Sequence, residues 1–134
     1  PYPFVHETLS QLKQHYPLAM VTSNQWAHVR NLRTRYDLEK YFEHTITQDD
    51  VKERKPLPQP FLKMAEKLNL APENCLVIED TPYGVWAAHR AGMHTCVVEH
   101  TTPQKYFKDE YIPQQFIANF SVLSPEFIEK HYER

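Results

Sequence analysis

The sequence predicts an α/β fold in which a parallel sheet is covered by helices on both faces, and three observations carry that expectation. Apolar residues at helical spacing alternate with short apolar or β-branched runs along most of the chain. The run Cys75-Leu76-Val77-Ile78 is continuously apolar, as in a strand buried on both faces of a parallel sheet. Glu79 and Asp80 follow it directly, in a turn that opens a helix, and the carboxyl ends of strands are where open α/β sheets bind ligands.

The elements follow in order. Val5, Leu9, Leu12 and Tyr16 share one helical face, and Pro17 ends that helix before the strand Leu18-Ala19-Met20-Val21. Trp26, Val29, Leu32 and Tyr36 mark one side of a second helix, which leads through Tyr41-Phe42 to a strand at Thr45-Ile46-Thr47. After a charged loop from Gln48 to Leu57, Pro60 opens a helix carrying Phe61, Met64, Ala65 and Leu68. Leu70-Ala71-Pro72 connects it to the strand at Cys75. Thr81 then serves as an N-cap with Pro82 in the first turn, and Val85, Ala88 and Ala91 recur at helical spacing until Gly92 stops the helix. Thr95-Cys96-Val97-Val98 is a further strand. Residues 101 to 115 lose periodicity and read as a loop or short helix with Tyr106, Phe107 and Tyr111 exposed on it, and Ser124-Pro125 caps a closing amphipathic helix.

A length of 134 residues with 41% hydrophobic content fits one globular domain or a large part of one. The net charge of -2 and a pI near 6.5 argue against a nucleic-acid partner. No apolar run approaches the roughly 20 residues of a membrane span and the N-terminus does not resemble a signal peptide, so a cytoplasmic location and no membrane partner are expected. Cys75 and Cys96 each sit in an apolar strand-like run and read as buried free thiols. The eight histidines show no metal-ligand spacing. With only Gly84 and Gly92 present, neither a phosphate-cradling P-loop nor a Gly-x-Gly-x-x-Gly dinucleotide motif can occur.

Three polar groups fall where strands end or loops return: Thr22-Ser23-Asn24, Lys55, and Glu79-Asp80. A hydroxyl and an amide can bind phosphoryl oxygens, a lysine can neutralise them, and two hard carboxylates suit Mg²⁺. Each also has a structural reading. Thr22 could cap the next helix, Asn24 could be a turn residue, Lys55 could be one more exposed cation beside Lys52 and Arg54, and the two acids could simply favour the positive end of a helix.

Wording and order go further. Val21-Thr22-Ser23-Asn24, then Arg54-Lys55-Pro56-x-Pro58-x-x-Phe61, then Val77-Ile78-Glu79-Asp80-Thr81-x-x-Gly84-x-x-Ala87-Ala88-x-x-Ala91-Gly92-Met93 closely resembles the haloacid dehalogenase-like hydrolase superfamily, within it the phosphatase and β-phosphoglucomutase-like branch. The resemblance implies a Rossmann-like three-layer α/β/α core with a parallel sheet. It makes Thr22 and Lys55 catalytic, with Thr22 binding the transferring phosphoryl group beside Ser23 and Asn24 and Lys55 holding nucleophile and phosphoryl group together. It makes Asp80 and Glu79 the acidic pair of a Mg²⁺ site, Asp80 as the direct ligand and Glu79 acting directly or through water.

The sequence departs from that family in one respect: no Asp-x-Asp motif is present. In the family its first aspartate attacks phosphorus and its second moves the proton. Asp49-Asp50 do not replace it, since adjacent side chains point differently, and they read as a solvated acidic loop. The motif's strand is central in the family's sheet, between the strands at Leu18-Val21 and Cys75-Ile78. Strands lie about 4.8 Å apart, so without it the sheet should split. Residues 1–134 are therefore expected to be the C-terminal part of a single core domain, with the first strand and a helical cap upstream, in the same chain or a second one. The expected function is Mg²⁺-dependent hydrolysis of a small phosphorylated metabolite. A phosphomutase of the same fold, and a non-catalytic phosphate-binding or regulatory module, are the alternatives.

Overall fold

Among the residues that the computed structural model describes, 4–22, 25–99, 102–108 and 112–132, five α-helices are interleaved with five short strands. They are α1 (Val5–Lys13), β1 (Ala19–Val21), α2 (Trp26–Tyr36), β2 (His44–Ile46), α3 (Gln59–Leu68), β3 (Leu76–Glu79), α4 (Pro82–Arg90), β4 (His94–Val98), β5 (Gln115–Ile117) and α5 (Pro125–His131). No helix among these residues is long and apolar enough to cross a membrane.

The strands form two parallel sheets. β1 pairs with β2, with Ala19 opposite His44 and Val21 opposite Ile46. β3, β4 and β5 form the second, with Ile78 opposite Cys96 and Cys96 opposite Gln115. The strands are thus divided as expected into two sheets, and Val21 of β1 and Val77 of β3 meet in one apolar group. The expectation that β3 is buried on both faces is corrected here: Val77 is buried but Leu76, Ile78 and Glu79 are only partly covered. β3 has a strand neighbour on one side only among the described residues, whereas β4, flanked on both sides, buries Thr95 through Val98.

Two apolar layers sandwich the sheets. Phe61 and Ala65 of α3 and Ala87 and Ala88 of α4 pack on Val77, with Val21 of β1 joining them. On the other side Leu12 of α1 and Ile128 of α5 cover Cys96, Val98 and Ile117, and Leu18, Leu76 and Ile78 pack against that group. Thr8, also buried, donates its hydroxyl to the Phe120 carbonyl at 2.9 Å, fastening α1 to the chain before α5.

Local chemistry sets most boundaries. Thr81 and Ser124 accept the backbone N–H groups of Gly84 and Phe127, capping α4 and α5 as their sequences predict. α3 closes with Asn69 at φ 57° and α4 is followed by Gly92 at φ 81°, both left-handed. α1 ends at Lys13, before Tyr16, because the His15 and Tyr16 amides both return to the Leu12 carbonyl.

Four further expectations change. β5 lies in and beyond a stretch read as irregular; its approach to β4 is set by Gln114, whose amide donates to Thr95 Oγ1 at 3.1 Å while its Oε1 accepts the Thr95 amide at 2.9 Å. Phe107 is buried against Val85, Val97 and Phe116, although Tyr106 is exposed; Tyr111 lies outside the described residues. Cys96 is buried, but Cys75 is half-covered at the mouth of β3; both thiols are free. Trp26 at the start of α2 is exposed, and the side chains of Val29 and Leu32 lie outside what is described.

Candidate functional site

Lys55 stands in the loop between β2 and α3, and the first residue of α3 anchors that loop. Gln59 Oε1 accepts the amides of Lys52 at 2.8 Å and Glu53 at 2.7 Å, and the Leu57 amide closes a turn on the Arg54 carbonyl at 2.9 Å. The Lys55–Pro56 peptide in this turn is cis. The lysine Nζ lies 5.1 Å from the centre of the Phe61 ring and donates to Glu79 Oε2. The two side chains of this ion pair retain 14% and 10% of their exposure. Lys55 is therefore not one more solvated cation of a charged loop.

Glu79 is held from several directions. Besides Lys55, its Oε1 accepts from the Asp80 amide at 3.3 Å and from the Thr81 hydroxyl at 3.4 Å. Thr81 Oγ1 in turn accepts the Gly84 amide at 3.3 Å, so the carboxylate lies against the first turn of α4, at its positive end. The helix-end reading and the lysine-partner reading of Glu79 thus both hold. Asp80 is half-buried in the turn between β3 and α4.

Thr22 follows β1 and is half-buried; its amide donates to the Ile46 carbonyl at 3.0 Å, extending the β1–β2 ladder by one residue. Ser23 and Asn24 lie outside the described residues. The structure thus joins Lys55 to Glu79 and its neighbour Asp80. The sequence did not single out Phe61, Thr81 or Gly84 as parts of this site, although a glycine in the first turn of a helix that needs no left-handed residue there is a readable signal.

Asp49 is exposed, as expected of a solvated acidic loop, but Asp50 is half-buried and both carboxylates accept backbone hydrogen bonds. Asp50 Oδ2 accepts both the amide and the hydroxyl of the fully buried Thr47, at 2.8 and 3.1 Å, and Thr47 Oγ1 accepts the Asp49 amide at 3.2 Å. Asp49 Oδ2 accepts the Trp26 amide at the start of α2. Buried donors at a strand end and open donors at a helix start both need acceptors, and these two carboxylates supply them.

No group of three or more His, Cys, Asp or Glu side chains able to hold a metal exists among the described residues. The hard donors at the end of β3 are two neighbouring carboxylates, one of them already compensated by Lys55. That set fits an ion such as Mg²⁺, which uses one or two protein carboxylates and completes its shell with water and phosphate oxygens.

The chain resembles known proteins over nearly its whole length. Residues 1–98 match the family described as haloacid dehalogenase-like hydrolase. A pyrophosphatase, PpaX, of Bacillus mycoides is 30% identical over 125 residues, covering 92% of this chain and 58% of the relative. A Thermotoga maritima protein assigned as a beta-phosphoglucomutase superimposes with a TM-score of 0.83 at 33% identity, over 90% of this chain and 57% of the other. A HAD phosphatase from Thermococcus onnurineus does so with a TM-score of 0.81 at 28% identity, over 91% and 55%. The chain spans little more than half the length of each. With two parallel sheets between helical layers and the lysine and acidic motifs brought together, the chain belongs to the haloacid dehalogenase-like hydrolases.

Proposed function

We propose that the protein to which this chain belongs is a Mg²⁺-dependent phosphoric monoester hydrolase acting on a small phosphorylated metabolite. Residues 1–134 are read as the C-terminal part of its core domain, with the nucleophilic aspartate on a segment upstream, in the same chain or in a second one. The observation that carries this reading is the Lys55–Glu79 ion pair: a largely buried ammonium, fixed by a carboxylate and an aromatic ring, at the end of β3. A buried charge is costly unless it is paired, and sites of this kind recur where a developing charge must be met.

Lys55 binds a phosphoryl oxygen and keeps it close to the incoming carboxylate. Thr22, with Ser23 and Asn24 after it, offers hydroxyl and amide donors to the remaining oxygens at the end of β1. Asp80 would hold Mg²⁺, with Glu79 behind it, and the ion when bound neutralises phosphoryl oxygens and so favours attack by an anion. Glu79 orients the lysine. Because Lys55 is already held by Glu79, little reorganisation of the lysine is needed in the transition state.

The test is a screen of the full-length protein, upstream segment included, against pyrophosphate, phosphoglycolate and sugar phosphates with Mg²⁺ and with EDTA. The expected result is metal-dependent phosphate release that falls about 100-fold or more in Lys55→Ala and Asp80→Ala, the size of effect seen when a single preorganised donor to a transition state is removed. No release from any member of the panel, or release indifferent to EDTA, would overturn the proposal. The likeness to a protein assigned as a beta-phosphoglucomutase favours a second reading, phosphomutase activity, which would appear as isomerisation of a sugar phosphate without net phosphate release.

A further inference from the structure

Gly84 presents a puzzle that its own backbone does not solve. It is buried in the first turn of α4, and its φ lies outside the left-handed region, unlike that of Gly92. Any L-residue could adopt its conformation, and glycine is among the poorest helix formers. The reason for a glycine must therefore be space. A Cβ built at this position overlaps the Glu79 carboxylate, and its three nearest atoms are Cδ, Oε1 and Oε2 of that one group.

We infer that Gly84 is a positioning residue for the reaction: its missing side chain leaves the seat in which the Glu79 carboxylate lies, and that seat holds Lys55 where phosphate must bind. The inference rests on the reading of Lys55 as the phosphoryl-binding lysine. The arrangement is a chain of hydrogen bonds running from Lys55 to the first turn of α4. Glu79 Oε2 accepts from Lys55, Oε1 accepts from Asp80 and Thr81, and Thr81 Oγ1 accepts the Gly84 amide. A methyl group at residue 84 would push the carboxylate out of this chain. The displaced atoms are the far end of a flexible side chain rather than backbone, so the fold can accept alanine while the ion pair cannot persist as it is. Phe61 would still face the ammonium, but a ring face 5.1 Å away does not fix a position as a paired carboxylate does.

Turnover and the exposure of Lys55 should consequently change together. In the full-length protein, Gly84→Ala is expected to fold but to melt below the parent, because unpairing the largely buried Lys55 and Glu79 outweighs the better helix propensity of alanine. Its kcat should fall tenfold or more, and amine labelling of Lys55, located by mass spectrometry at fixed pH, should speed up. Glu79→Asp withdraws the carboxylate by one methylene and should lower kcat by itself. Adding Gly84→Ala to it should cost little more, because the methyl then enters vacated space. Unchanged kcat and labelling in Gly84→Ala, or fully additive losses in the double variant, would each overturn the inference. Lys55→Ala separates this from the underlying reading. If it retains full turnover, the phosphoryl-binding role of Lys55 fails, whereas its inactivity beside an unperturbed Gly84→Ala refutes the seat alone.

Discussion

Asp49 caps a helix that begins 23 residues before it: its Oδ2 accepts the backbone N–H of Trp26 at 2.9 Å. The loop leaving β2 is thereby tied to the start of α2, which follows the Thr22 segment. Replacing such an acceptor by alanine costs about 1 kcal/mol, whereas asparagine is an equally good cap. Asp49→Ala is therefore expected to lower the melting temperature by a few degrees and Asp49→Asn to lower it less, both with near-parental turnover in the full-length protein. Loss of turnover at unchanged stability in either variant would give Asp49 a role in the reaction that capping does not explain.

Gly92 should respond to alanine for a different reason from Gly84. Its φ is 81°, and the nearest atom to a Cβ built there is Pro72 Cβ at 3.9 Å, so backbone strain rather than crowding sets the cost. Gly92→Ala is expected to destabilise the protein by about 1–2 kcal/mol. Gly92→Asn should cost less, since asparagine tolerates this region, as Asn69 does at the end of α3. Denaturant midpoints, compared at equal slope, would show both effects. A Gly92→Ala protein as stable as the parent would mean that the turn after α4 can open without penalty.

Stability should decline in mild alkali. Burial pushes the Cys96 thiol up from its ordinary 9.0 to about 11, and burial, aided by the neighbouring Cys96, raises the Tyr132 hydroxyl as well. Tyr132 donates that hydroxyl to the Thr95 carbonyl at 2.6 Å, beside the thiol on β4. Between about pH 9 and pH 11 the folded protein holds a Cys96 proton that the unfolded chain has released. Stability therefore falls as pH rises through this window, at most by roughly 1.4 kcal/mol per pH unit from this group, and the contribution is fully present below pH 8. Thermal melts from pH 7 to 10.5 should show the decline, and Cys96→Ala should flatten it. A slope identical in the variant would assign the loss to other groups.

Much of the fold was legible because local signals agreed with it. Thr81-Pro82, Ser124-Pro125 and Gly92 mark caps and stops whose chemistry acts within one turn, and the apolar side of α3 follows from spacing alone. β5 was not legible, because three residues carry little periodicity and the Thr95–Gln114 exchange that positions it links groups 19 residues apart. The capping role of Asp49 was hidden for the same reason. Within the site, Lys55, Glu79 and Asp80 were visible as a motif, and residue types at the right spacing suggested their chemistry. The fit of a carboxylate against a bare glycine was not, since it depends on where a side chain goes after the backbone has folded.

The division of the strands into two sheets bears on how the 134-residue chain would behave in a tube. Among the described residues β1 and β3 each have a strand partner on one side, and the other side of each carries a row of backbone donors and acceptors. Such rows are templates that a neighbouring molecule can extend. With a net charge of only -2 to keep copies apart, the chain by itself is a candidate for concentration-dependent self-association, which a segment inserted between β1 and β3 would suppress by occupying both rows at once.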